Sequence, residues 1–83
     1  MADTKPDIFC EEHAWTDITN GNSGTIVVQN KTSSTIYVVK AAAKPTGDPY
    51  GFRVKPGESI TVDVESSVWA YATTAGNVYS DLA

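Results

Sequence analysis

From residue 25 onward the chain alternates apolar and polar positions with the two-residue period of β-strands. The alternation is cleanest over residues 59–64, where Ile60, Val62 and Val64 point one way and Ser59, Thr61 and Asp63 the other. Residues 67–73 set Val68, Ala70 and Ala72 on one face and Trp69 and Tyr71 on the opposite one. Residues 25–30 and 35–39 are rich in β-branched side chains, and the polar run 31–34 between them predicts a hairpin over 25–39. Ile26 and Val28 share a face, as do Ile36 and Val38. Val27, Tyr37 and Val39 make the opposite faces apolar too, so the period alone leaves the core side open. One face is expected to cover the core and the other to meet the N-terminal arm or a neighbour. Pro45, Gly47, Pro49 and Gly51 break regular structure over 41–51. A short strand at 52–54 then runs into Lys55-Pro56-Gly57-Glu58, a turn with proline at its second position. Residues 74–77 turn again, and 78–82 form a last strand. Five or six short strands separated by Gly/Pro turns predict an all-β fold, a small antiparallel β-sandwich or barrel with its strand order open.

Residues 1–20 carry no sustained period. Phe9, Cys10, His13 and Ala14 have the spacing of a short helical turn, and an extended arm anchored by Ile8, Phe9 and Trp15 fits equally well. The Asn/Gly/Ser run 20–24 reads as a hinge. The expected organisation is therefore an N-terminal arm, 1–20, and a β domain, 21–83. Charge follows this division. Asp3, Asp7, Glu11, Glu12 and Asp17 against Lys5 alone account for the whole net charge of −4, and later acids and bases cancel.

An 83-residue chain makes one domain and buries only about 60–65% of its unfolded surface. Its single cysteine forms no internal disulfide. Self-association is then the expected source of added stability. Lys31, Lys40, Lys44, Arg53 and Lys55 are scattered among acids, so no basic stripe predicts nucleic-acid binding. No apolar run approaches the roughly 20 residues of a membrane span. The first residues, MADTKPD, lack the features of a signal peptide, so synthesis in the cytoplasm is expected. Without such a signal, the sequon Asn30-Lys31-Thr32 is read as chance.

Candidate chemistry concentrates in residues 9–15, FCEEHAW, which hold the only cysteine and the only histidine. Cys10 and His13 are one ligand pair where a structural zinc site needs four ligands, usually two separated pairs. A metal-dependent regulator would use Cys10 and His13, but no metal or cofactor is expected. Catalytic Cys–His pairs also come from separate elements that bring an orienting group and an oxyanion pocket. The expected state is a partly exposed acidic turn with Cys10 against Phe9 or Trp15. Trp69 and Tyr71, with Tyr37 and Tyr79 on neighbouring strands, would make part of the core or a subunit interface, or else a stacking platform for sugar or a base. With no phosphate-binding glycine loop and no hydroxyl–histidine constellation, no enzymatic activity is expected.

AWTDIT (14–19), GTIVVQNKTSSTIYVVKAAAKPT (24–46), FRVKPGESITV (52–62) and VWAYATTAGNVY (68–79) together resemble a group of small structural proteins of tailed-bacteriophage virions. The shared pattern pairs a strand ending in Gln-Asn with a hairpin, a Pro-Gly turn and a late Val-Trp-Ala strand. The resemblance implies a virion component: a head decoration protein, a head-fibre base, or a neck or tail subunit. It carries no catalytic residue. The expected function is a homo-oligomeric subunit docking on a capsid, neck or tail protein. Ile8, Phe9, Trp15, Trp69 and Tyr71 are its expected interface residues. A small carbohydrate-binding module is the alternative.

Overall fold

The computed structural model describes residues 6–19, 21 and 23–82. Among the described residues, eight strands form two four-stranded antiparallel sheets. In chain order they are β1 (Ile8–Cys10), β2 (Ala14–Asp17), β3 (Gly24–Asn30), β4 (Ile36–Ala41), β5 (Phe52–Val54), β6 (Ser59–Val64), β7 (Ser67–Ala72) and β8 (Gly76–Leu82). One sheet has the order β1-β8-β3-β6 and the other β2-β7-β4-β5. Their facing sides supply the core: Cys10, Ile26, Val28, Val62 and Val78 from the first, Ile36, Val38, Val54, Val68, Ala70 and Ala72 from the second. The period-2 reading of β6 and β7 holds residue by residue, with Ser59, Thr61 and Asp63 exposed and Ile60 and Val64 packed on the core. Ile26/Val28 and Ile36/Val38 are the buried pairs.

Two expectations are corrected. Residues 8–17 are not an arm: β1 pairs with β8 and β2 with β7, so they complete both sheets. The first five residues and Asn20 and Asn22 of the expected arm and hinge lie outside the described residues. The physical reason is that Cys10 and Ile18 fill the core with no solvent exposure, while Ala14 and Thr16 sit beside Ala72 and Ala70. A lone buried side chain on each short strand leaves no period to read. The second correction concerns residues 25–39, which are not a hairpin. β3 lies between β6 and β8, and β4 between β5 and β7, in different sheets. Only β4 and β5 are consecutive strands that pair. Every other connection crosses the sandwich.

Asn30 directs the crossing from β3 to β4. Its side chain is fully buried, and its Nδ2 donates to Ser34 O at 2.7 Å and Val54 O at 2.8 Å. Its Oδ1 accepts from Thr32 N at 2.8 Å and lies 2.7 Å from the Thr32 hydroxyl. The amide thus holds the corner closed and ties it to the end of β5. The Asn30 backbone binds the next crossing as well, donating to Glu58 O and accepting from Gly57 N. That crossing is the expected Pro-Gly turn: Glu58 N donates to Lys55 O, and Gly57 has φ +82°. Proline at the second position and a positive φ at the third define a type II turn. A side-chain amide with every partner filled in the core is also closed to glycosylation in the folded protein.

Candidate interaction surface

FCEEHAW straddles the crossing from one sheet to the other, and the structure separates its chemistry. Cys10 faces the core with no exposure, whereas Glu11, Glu12 and His13 face solvent. His13 reaches the second sheet in a left-handed conformation, φ +55°, with its N–H donating to Ala72 O at 2.7 Å. Its ring stands 6.5 Å from that of Tyr71. Among the described residues no three metal-ligating side chains converge. Burial pushes the Cys10 thiol up, and a hydrogen bond with the Thr16 side chain pulls it partly back. Burial is the larger effect and leaves a protonated, enclosed sulfur, the opposite of a reactive thiolate. Native protein at pH 8 is expected to resist iodoacetamide and to be labelled at Cys10 only as denaturant unfolds it. The native state holds the thiol proton more tightly than the unfolded chain. Its contribution to stability is therefore complete below the unfolded thiol value, about 8.5, and is lost as pH rises through the folded one.

Aromatic side chains gather on the outer side of the β2-β7-β4-β5 sheet. Trp15 is opposite Tyr71, Tyr71 opposite Tyr37, and Tyr37 opposite Arg53, one row across all four strands. Trp15 and Tyr71 meet edge to face at 5.3 Å, and Tyr50 packs on Trp15 in the same way at 5.6 Å. Tyr50 comes from the connection 42–51, which folds over this face. Pro45 is buried, and Gly51 lies against Val38 and Val39. This connection, and not the expected arm, meets the second apolar face of β4: Val39 is buried on the outer side of the sheet against Gly51. Trp69 in the adjoining row is half-buried, and its Nε1 donates to Ala41 O at 3.0 Å. Tyr79 belongs to β8 in the other sheet and does not join this group.

These positions sort the five expected interface residues. Trp15 is only 6% exposed under Tyr50, and Ile8 packs on the core, so both are committed within the chain. Tyr71 and Trp69 are half-buried. Phe9 is 61% exposed on β1. On the opposite side of the sandwich, where β5 and β6 end their sheets, Phe52 is 60% exposed. It lines an open groove of about 480 Å³ with Val27, Ser59, Ile60 and Thr61. The sequence reading missed Phe52 and Tyr50. Both sit beside Gly51 in a Pro/Gly-rich stretch whose lack of period gives no face assignment. No protein-family model matches the chain, and neither does any curated protein or solved structure.

Proposed function

We propose that the chain is a non-enzymatic structural subunit of a tailed-phage virion, working by self-association and by docking on a capsid, neck or tail protein. The observation that carries this reading is the placement of large exposed apolar side chains on both lateral sides of a small sandwich, Phe9 by the β1 edge and Phe52 by the β5 edge. A subunit seated between a copy of itself and a different protein needs two such sides. The virion-like sequence pattern over residues 14–80 supports the same reading. So does the chemistry of FCEEHAW, in which the thiol and the imidazole serve separate sides of the fold. The carbohydrate alternative has weaker support, because Tyr50 covers Trp15 and Tyr79 lies on the other sheet. Quantitative mass spectrometry of purified particles of the virus that carries the chain is the test. A fixed copy number relative to the major capsid protein is expected, and particles free of the chain would overturn the proposal.

A further inference from the structure

We infer that β6 is a self-pairing edge, through which two copies join antiparallel about a twofold axis at Thr61 to make one continuous eight-stranded sheet. The inference rests on the reading of the chain as a self-associating subunit and names the surface used. Among the described residues β6 ends its sheet, with β3 as its one neighbour. The bond from Asn30 N to Glu58 O fixes the phase of that ladder. Antiparallel pairs alternate between bonded and non-bonded, so Ile60, Val62 and Val64 direct their backbone groups toward β3. Ser59, Thr61 and Asp63 direct theirs to the open side. Natural edges are usually blunted by proline, lysine, a bulge or a covering segment. Within Ser59–Val64 the sequence has no proline and no lysine, and the register against β3 runs without a bulge.

The occupant follows from the strand's own symmetry. Centring the axis on Thr61 places Thr61 opposite Thr61 and Ser59 opposite Asp63. All outward backbone groups of the strand then pair, giving about six new hydrogen bonds. Each Ser59 hydroxyl faces a carboxylate that Thr25 already engages at 2.7 Å, leaving further lone pairs to accept its proton. Ile60 falls opposite Val62 on the core side. Shifting the axis to Val62 leaves Ser59 outside the strand pairing, and shifting it to Asp63 sets two carboxylates face to face. The incoming strand also covers the groove walled by Phe52 and Ile60, the apolar surface most exposed on that side.

Light scattering on the full chain at about 0.1 mM tests this with three variants. Wild type is expected at twice its 8.9 kDa mass. Thr61→Pro removes a donor from both sides of the axis without touching the β3 ladder, and is expected to be monomeric with Cys10 still protected from iodoacetamide. Thr61→Lys and Thr61→Asp each place like charges at the axis and are expected to dissociate roughly tenfold more readily alone, while their equimolar mixture restores the dimer. A wild-type monomer overturns the edge and self-association together. A dimer or larger oligomer that Thr61→Pro leaves intact overturns the edge alone and leaves self-association standing. Dimerisation strengthened by Thr61→Lys alone overturns the register, because only the axis at Val62 puts residue 61 against Asp63. None of these three results depends on whether purified particles contain the chain.

Discussion

Asn30→Ala is expected to cost roughly 3–5 kcal/mol of folding stability, seen as a fall in Tm of at least roughly 12 °C. The side chain has no exposure and no idle hydrogen-bonding position, with two bonds given to carbonyls and Thr32 N and its hydroxyl at its oxygen. Truncation leaves Thr32 N in the interior without a partner, at about 1–3 kcal/mol, and takes a bond of about 0.5–1.5 kcal/mol from each of Ser34 O and Val54 O, which keep the Thr32 hydroxyl and the β4 ladder as partners. A domain of this length has roughly 4–12 kcal/mol in total, so the variant approaches the unfolding threshold. Asn30→Asp separates hydrogen bonding from shape. It keeps the volume and the Oδ1 acceptor but turns the other position from donor to acceptor, facing Ser34 O and Val54 O. The fold then favours the neutral acid, which still donates one proton, so the carboxyl is held above its unfolded value. For a raised group the stability contribution is full below the unfolded value, about 3.9, and is lost as pH rises through the folded one. Relative to wild type, Asn30→Asp is expected to be least destabilised in acid and most at neutral pH. Urea denaturation at pH 3.5 and pH 7 reads the difference, and a gap that does not widen with pH would remove the donor role assigned to the amide.

The same residue explains why part of the fold was legible and part was not. β6 and β7 were readable because each has one core face and one face toward solvent or half-buried aromatics, so Val62 against Asp63 and Ala70 against Tyr71 carry the period on the page. The span 25–39 was read as a hairpin because two β-branched runs around a short polar segment look alike whether the chain turns back or crosses to the other sheet. What decides is where the Asn30 side chain goes, and no local pattern announces that an asparagine will be buried with four partners. β1 and β2 were read as an arm because strands of three and four residues hold too few positions to show alternation. At the candidate surface, Trp69 and Tyr71 were placed correctly on one face. Trp15 was assigned to an interface because nothing in the sequence ties Tyr50 to it across 35 residues. The open side of β6 was present in the sequence as Ser59-Ile60-Thr61-Val62-Asp63-Val64. Only the sheet order shows that it is an edge.

Gly51→Ala is the second large effect, and it is expected to detach the 42–51 connection from the outer sheet face. Gly51 has φ +104°, a conformation that L side chains rarely adopt. A Cβ there would overlap Val39 Cγ1 and stand 2.5 Å from Val38 O, which is backbone in the middle of β4 and cannot step aside. Strain and overlap together amount to roughly 2–6 kcal/mol. Gly47 isolates the two causes: it has nearly the same kind of backbone, φ +83°, but nothing within 4 Å of its would-be Cβ. Gly47→Ala is expected to cost only the conformational part, roughly 1–3 kcal/mol. The connection meets the sheet through Tyr50 on Trp15, Gly51 on β4 and a buried Pro45, while most of its remaining residues are exposed. Lifting it therefore costs less than opening the core beneath. Gly51→Ala should keep its far-ultraviolet circular dichroism, lose near-ultraviolet signal and shift tryptophan emission to the red as Trp15 meets water, while Gly47→Ala keeps the wild-type emission. Cys10 in Gly51→Ala should stay protected, because the sheet-to-sheet core does not depend on the connection. Equal effects of the two alanines would mean that backbone strain, and not the seat against Val38 and Val39, fixes glycine at position 51.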